Sequence, residues 1–376
     1  MAAPVLFTPY RLRGLTLDNR IVVSPMGQHS AEDGIAADWH LMHLGQFAVS
    51  GAGLVVTEAV AVEPRGRVSR GCLGLWNDAQ AEAFARIIGF FRRYGGSKIG
   101  IQLGHSGRKG SVGTSWEGQK PQAPAQGGWD IVAPSAEPYP GRNLPLALDT
   151  VGLAQVKQAF VEATGRAHSA GFDFIEVHAA HGYLLHNFLS PIANRRHDAY
   201  GGDTAGRMRF PLEIFDAMRA TWPDDKPMGV RVSATDWADG GWTEDETIVF
   251  CQELKARGCD VICASAGGTT PEQHIKLSPL YQVPYAERIH REAGIPTMAV
   301  GLITTPAEAE GVVASGRADL VALARGMLYD PRWPWHAAEA LGADAFFPPQ
   351  YDRAHPSMRL GDSFKVYRDR KPAASG

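Results

Sequence analysis

Short apolar runs alternate with amphipathic stretches along nearly the whole chain, and no other feature restricts the fold as much. Eight runs read as strands: "IVVS" (21–24), "LVVTEA" (54–59), "KIGIQL" (98–103), "FDFIEVH" (172–178), "MGVRVSA" (228–234), "VICASAG" (261–267), "TMAVG" (297–301) and "LVALAR" (320–325). Helical patterns lie between them, such as "DAQAEAFARIIGFFRRYG" and "TEDETIVFCQELKARG". Both carry acidic residues near the start and end on Gly, as the helix dipole and a left-handed C-terminal turn favour. Eight strand–helix units predict an α/β fold, a (β/α)8 TIM barrel. The competing fold, a doubly wound open sheet, usually carries a Gly-rich dinucleotide fingerprint after an early strand. No GxGxxG occurs in this sequence.

One barrel accounts for residues 1–376 as a single domain, with three segments outside the repeating units. The first 20 residues resemble a hairpin that would plug the barrel bottom. Residues 104–148 form a capping insertion after the third strand, rich in Gly and Pro and containing Trp116 and Trp129. A loop of that length is usually functional or disordered, and its position favours a lid. The C-terminal tail, 346–376, contains "FPPQYDRAHP", too Pro-rich to continue a helix.

A formal net charge of −3 gives no sign of a nucleic-acid partner. No apolar stretch is long enough for a membrane span, and the N-terminus lacks the pattern of a signal peptide. Cys72, Cys251, Cys259 and Cys263 form no CxxC pair. They are expected to be reduced thiols of a cytoplasmic protein, not a disulfide frame or an iron–sulfur site.

In a barrel of this kind the active site lies at the C-terminal strand ends. Those ends collect Ser24 to His29, Glu58 and Ala59, Gln102 to His105, His178 to Tyr183, Arg231, Gly267 and Gly268, Gly301 and Arg325. Gly301, with Thr304 and Thr305 before a helix start at Pro306, and Arg325–Gly326 suggest a phosphate site. Ordinary turn and capping chemistry is the alternative. Arg231 is flanked by valines and needs a partner. It could form an ion pair with Glu176 on the adjacent strand, or face a group that becomes anionic during turnover. Gln102 would point inward with it and offer an amide to a planar heterocycle. His178, His181 and Tyr183 admit three uses: an oxygen clamp with a proton donor, a metal site, or core filling. The chain has no HxH or HExxH and no obvious third metal ligand nearby, so no metal is expected.

Longer motifs carry a resemblance. "LFTPYRLRGLTLDNRIVVSPM", "ADWHLMHLGQFAVSGAGLVVTEA", "GIQLGHSGRK", "EVHAAHGYLLHNFLSPIANRRHDAYGG", "RMRFPLEI", "VRVSATDW", "AVGLITTP", "ALARGML" and "PPQY" span essentially the whole chain. Together they resemble the Old Yellow Enzyme family of FMN-dependent ene-reductases, most of all its thermophilic-like bacterial branch. The run from His178 to Gly202 is the most specific part.

The resemblance implies non-covalent FMN across the barrel mouth. Ser24, Pro25, Met26 and Gly27 would line it, with Ala59 near the ring, Gln102 at its pyrimidine edge and Arg231 where reduction accumulates negative charge. Ala299, Gly301, Ala324 and Arg325 would hold the phosphate. His178 and His181 would bond the oxygen of an activated alkene, and Tyr183 would protonate Cα. NADPH or NADH would dock over the same flavin face. The resemblance also implies a homodimer or homotetramer in which Arg353, after "PPQY", reaches a neighbouring active site. Two positions depart from that branch. Gly27 and His29, in "SPMGQHS", stand where a Cys and a substrate-contacting Tyr are usual, so His29 becomes the candidate substrate contact.

Overall fold

The computed structural model describes residues 3–358. The chain opens on an antiparallel hairpin, β1 (Tyr10–Leu12) and β2 (Leu15–Leu17). The barrel begins with β3 (Ile21–Val23), β4 (Leu54–Ala61) and β5 (Lys98–Gly104). Two short strands of the insertion, β6 (Val132–Ala133) and β7 (Leu146–Ala147), pair outside it. The barrel continues through β8 (Phe174–Ala179), β9 (Met228–Ser233), β10 (Val261–Ser265), β11 (Thr297–Ala299) and β12 (Leu320–Leu323), which pairs back onto β3. All eight barrel strands are parallel, and their spatial order is their chain order. Each begins and ends within two residues of the apolar run that predicts it. The doubly wound alternative is thereby excluded.

The outer ring is made by α1 (Asp38–Ala48), α2 (Asp78–Tyr94), α3 (Thr150–Ala170), α4 (Leu184–Leu189), α5 (Thr204–Thr221), α6 (Glu244–Ala256), α7 (Val283–Ala293) and α8 (Pro306–Ala314). Two further helices, α9 (Arg325–Tyr329) and α10 (Trp333–Leu341), close the ring. Helix starts are set by local chemistry. Asn77 accepts from the backbone N–H of Gln80 at the start of α2, and Thr243 and Glu246 cap each other at the start of α6. Such caps contribute about 1 kcal/mol each.

Strand side chains alternate between two apolar layers. Val22, Leu54, Phe174, Val261, Met298 and Leu320 fill the barrel interior with Leu12 and Leu17 of the hairpin, which therefore forms the expected plug. Ile175 and Val177 face the helices, so a one-residue slip of β8 would exchange the two sets. Above the plug the interior turns polar at Gln102, Glu176 and Arg231.

The insertion folds over the C-terminal end of the barrel. It is held by Arg108, which donates to the carbonyl of Thr269, and by Lys109, which donates to those of His181 and Gly268. The tail leaves α10 as a 3₁₀ turn (Pro349–Ala354), with Trp335 stacked on Phe347 at 4.0 Å. Tail residues beyond 358 lie outside the described residues. No described helix is long and apolar enough to cross a membrane.

Candidate active site

Polar side chains from five strand ends and the insertion converge on a cleft of about 810 Å³ measured to its open mouth. Pro25, Gly27 and His29 come from the loop after β3, and Ala59 from β4. Gln102, His178, His181, Tyr183 and Arg231 complete the part anticipated from sequence. Gln119 of the insertion also lines the cleft.

His178 lies near the end of β8, and the loop that follows holds His181 in an unusual backbone. His181 has φ +60°, a left-handed conformation that costs a side-chain-bearing residue energy. Both its backbone groups are pinned. Its N–H donates to Ser233 Oγ at 2.9 Å, and its carbonyl accepts from Lys109 Nζ at 2.9 Å. Gly182 follows at φ +70°, where a Cβ would lie 2.2 Å from the Gly268 carbonyl oxygen, so only glycine fits. Beneath this turn, His186 Nδ1 accepts from the Gly182 N–H while its Nε2 faces Asp236 Oδ1 at 3.0 Å, fully buried. Those two contacts fix the orientation of the His186 ring.

The ring of His178 lies 5.2 Å from that of His181 and 5.0 Å from that of Tyr183, both edge-on. His178 is buried, and its Nδ1 has no hydrogen-bond partner among the described residues. Burial first, then the nearby Arg231 charge, holds both His178 and His181 well below the ordinary histidine range, so both are neutral at pH 7. His181 Nε2 lies 2.7 Å from Ser265 Oγ, which also accepts from Gln282 Nε2 at 3.4 Å. A serine hydroxyl can accept from both Nε2 groups or donate to the imidazole, so the direction of the His181–Ser265 bond follows the tautomer of the neutral ring. Burial pushes the Tyr183 phenol up to about 12.

The expected ion pair between Arg231 and Glu176 does not form as a direct contact. Register explains this: Glu176 lies opposite Gly229, whereas Arg231 lies opposite His178, one inward-facing position nearer the mouth. Glu176 instead accepts from Gln102 Nε2 at 2.7 Å, directly across β5–β8, and from the Cys263 thiol. Burial raises its pKa, opposed by the Arg231 charge. Arg231 donates through Nη1 to Ser24 Oγ at 2.8 Å, and its Nε has no partner among the described residues.

The other anticipated residues do not line the cleft. Met26 packs against the helix-facing core. The Ala299 methyl also belongs to that outer layer, so this residue has only backbone to offer. Gly301 has φ +102°, and a Cβ there would meet Gln282 Cβ at 2.8 Å. Ala324 caps α9, and Arg325 is exposed at its first position, beside the β3 end where Ser24 N–H donates to the Leu323 carbonyl. The amides opening α9 have no intrahelical acceptors. The neighbouring α8 is different. Glu308 Oε2 accepts from the backbone N–H groups of Thr304 and Thr305, so this helix start uses capping chemistry, correcting that part of the phosphate expectation. Arg353 is exposed on the tail turn and does not line its own chain's cleft.

His29 has φ +50°, bonds Ser69 Oγ through Nδ1 at 2.7 Å, and meets the Trp116 ring edge-on at 6.0 Å. Gly27 is not a conformational necessity: its φ lies outside the left-handed region, and a Cβ would meet only His29, at 3.6 Å. Sequence reasoning missed Arg67, Cys72 and Gln119 as cleft residues. The basic, Gly-punctuated "PRGRVSRG" directly after a strand end was the available signal. All four cysteines are free and buried. Among the described residues no group of three or more His, Cys, Asp or Glu could hold a metal ion.

The donor set suits a planar heterocycle bearing an anionic tail. Two cleft-lining residues carry an unpartnered guanidinium Nε and an unpartnered imidazole Nδ1, and a glycine-only turn with an exposed arginine lies along the β11–β12–β3 rim. Comparison with known proteins agrees. Residues 5–344 match the profile of the NADH:flavin oxidoreductase / NADH oxidase family. The chain is 44% identical over 352 residues to an NADPH dehydrogenase of Geobacillus thermodenitrificans, covering 93% of this chain and 98% of that one. A structure of morphinone reductase in complex with tetrahydroNAD superposes with TM-score 0.74 at 28% identity, covering 92% and 93% of the two chains. A 2-naphthoyl-CoA reductase complex shares the fold, with TM-score 0.80 at 24% identity, and this chain spans 52% of it. The chain belongs to the NADH:flavin oxidoreductase / NADH oxidase family, that of the Old Yellow Enzymes, and is an NAD(P)H-dependent oxidoreductase with FMN as its cofactor.

Proposed function

We propose that the enzyme is an ene-reductase that adds a hydride and a proton across the C=C bond of an α,β-unsaturated carbonyl compound or similarly activated alkene. NADPH or NADH is the ultimate electron source. FMN, when bound, supplies hydride chemistry at its N5 toward Cβ of the alkene. Ser24, Pro25, Met26, Gly27, Ala59, Gln102 and Arg231 would hold its ring. The Ala299 backbone, Gly301, Ala324 and Arg325 would hold its phosphate.

The chain's own residues do the rest. His178 and His181 are neutral donors, so they can polarise a carbonyl oxygen without forming a fixed ion pair with it. Tyr183, still protonated because its pKa is near 12, gives its proton to Cα. Arg231 offsets negative charge developing over the interior. His29 and Gly27 shape the wall that the alkene substituents meet. The observation that carries this reading is the His178 ring, with a buried Nδ1 lacking a partner and the rings of His181 and Tyr183 against it.

Anaerobic stopped-flow spectroscopy tests it. NADPH should bleach the yellow holoenzyme, and 2-cyclohexenone should restore the colour. Reduction without any enone-dependent recovery would reject the ene-reductase assignment.

Arg353 is assigned to a neighbouring subunit's cleft in a homodimer or homotetramer, since it lies exposed and outside its own. A chain that sediments as a monomer at micromolar concentration would remove that role. Four unpaired cysteines suit a reducing, cytoplasmic location.

A further inference from the structure

We propose that Arg67 is the anchor for a phosphate group of the nicotinamide dinucleotide at the mouth of the active-site cleft. This rests on the nicotinamide donor entering the cleft that holds His178 and His181.

Arg67 lies in the loop after β4 and lines the cleft. Its guanidinium carbon is 5.3 Å from the Trp76 ring centroid and 4.9 Å from that of Trp129. Trp129 is held through its indole and Trp76 through its backbone. Trp129 Nε1 donates to the Arg65 carbonyl at 3.1 Å, and the Trp76 backbone N–H donates to Gln80 Oε1 at 2.8 Å. Arg67 Nε donates to the Pro64 carbonyl at 2.9 Å. Two aromatic faces and one hydrogen bond therefore hold the guanidinium plane in place. Its two terminal nitrogens have no hydrogen bond or ion pair among the described residues. They are not sealed from solvent either, unlike the unpartnered Nε of Arg231.

Neighbouring cations are already engaged. Arg65 is paired with Glu63, Arg70 donates to the Gln126 carbonyl, and Arg142 donates to Gln119. Asp33 and Arg70 act on Arg67 electrostatically with opposite signs, and neither is an ion-pair partner. Arginines that only brace this fold use their forks differently. Arg13 contacts Asp260 and the carbonyls of Asp224 and Gly258, and Arg219 contacts three carbonyls. Arg67 instead presents an immobilised, unused fork to a cleft.

That fork matches the paired oxygens of a phosphate or carboxylate. The enzyme's reductant supplies the phosphate. Its nicotinamide must reach the interior of the cleft, which leaves its phosphates toward the mouth. Activated alkenes such as cyclohexenone carry no anionic group.

The test compares three hydride donors in anaerobic stopped-flow reduction of the FMN holoenzyme: NADPH, NADH and 1-benzyl-1,4-dihydronicotinamide, which has no phosphate. Arg67→Gln should raise the half-saturating concentration of NADPH about tenfold or more, the scale of a lost charge-assisted hydrogen bond. FMN affinity, the limiting reduction rate and reoxidation by 2-cyclohexenone should be unchanged, and so should every constant for the benzyl donor. An equal loss with NADH would place the pyrophosphate on Arg67, and a loss confined to NADPH would place the 2′-phosphate there. Arg67→Lys should recover only part of the affinity. Reduction by the benzyl donor separates loss of this subsite from loss of the flavin chemistry itself. An unchanged NADPH constant, or an equal rise for the benzyl donor, would overturn the assignment. If Arg67→Gln does not fold, the wild-type enzyme decides: inorganic pyrophosphate should compete with NADPH and not with the benzyl donor, and absence of that competition rejects the subsite.

Discussion

Lys109 should give the oxidative half-reaction an alkaline limb near pH 8. Its ammonium donates to the His181 carbonyl at 2.9 Å and the Gly268 carbonyl at 3.0 Å, and lies 5.3 Å from the Tyr183 ring centroid. No carboxylate pairs with it among the described residues. Burial, followed by the positive charges of Arg142 and Arg108, pushes its pKa down to about 8. The lysine is therefore charged at neutral pH and loses its proton as pH rises through about 8. A charge-assisted hydrogen bond contributes about 1.5–3 kcal/mol and a neutral one about 0.5–1.5. Two bonds weakened by about 1 kcal/mol each would loosen the His181 backbone by up to about 2 kcal/mol, or roughly thirtyfold in rate if all of it is felt in the transition state. A three- to thirtyfold fall is roughly the expected range. Enzyme reduced with dithionite and mixed with 2-cyclohexenone from about pH 6 to about pH 10 measures it. Lys109→Arg keeps its charge and should abolish the limb, while Lys109→Met should be slow and flat across the range. Tyr183 titrates too high, at about 12, and the two histidines too low, to produce the limb. An unchanged limb in Lys109→Met would refute the reasoning.

Replacing both His178 and His181 with Ala should weaken phenol and enone binding about tenfold, the scale of two lost neutral hydrogen bonds of about 0.5–1.5 kcal/mol each. FMN affinity should change far less, and unaltered binding of a phenolic ligand in a spectral titration would remove the oxygen-clamp role. Tyr183→Phe should slow reoxidation by about 10²–10⁴-fold while reduction by NADPH stays nearly intact. If neither half-reaction changes, solvent supplies the proton. Gly27→Cys should fold normally, because a Cβ there meets only His29 Nε2, at 3.6 Å. It should disfavour bulky α- or β-substituted enones and shift the flavin midpoint potential, and a variant unchanged in both respects would show that position 27 does not shape the site.

The barrel was legible because period and length agree along the chain. Apolar runs such as "FDFIEVH" are too short and too β-branched for helices, and each is followed by a helix-length pattern with its own caps. Strand-end position then identified Gln102, His178, His181, Tyr183 and Arg231, which the fold gathers in one cleft. Register was not legible. Without it, Arg231 and Glu176 on adjacent strands looked like natural partners, although the offset of β8 against β9 places them at different heights. Loop packing was equally hidden. Arg67 and Trp129 are 62 positions apart, from 67 to 129, and nothing periodic links a loop after β4 with the insertion after β5. Capping chemistry could have been identified sooner, since Thr305 and Glu308 have the spacing of a reciprocal cap.

The separation of Glu176 from Arg231 has a consequence for the chemistry. In a direct bidentate pair, the carboxylate would satisfy the guanidinium and cancel most of its field at the barrel mouth. Here both known partners of the carboxylate are neutral groups, the Gln102 amide and the Cys263 thiol. Ser24 occupies one Arg231 nitrogen, and the buried Nε has no partner among the described residues. Leaving a buried donor unpaired is costly in a site that stays empty, so the arrangement makes physical sense where a ligand completes it. The same Arg231 charge helps keep His178 and His181 neutral, since a second cation so close in a buried site would be disfavoured. One fixed cation thus leaves the histidines as uncharged donors and remains available to a group that gains negative charge. Because Gln102 donates its amide N–H to Glu176, its carbonyl oxygen is left to accept from the ligand. The interior polar layer therefore offers an acceptor at Gln102 and a positive donor at Arg231, which is the complement of a ring edge that carries both an N–H and a carbonyl.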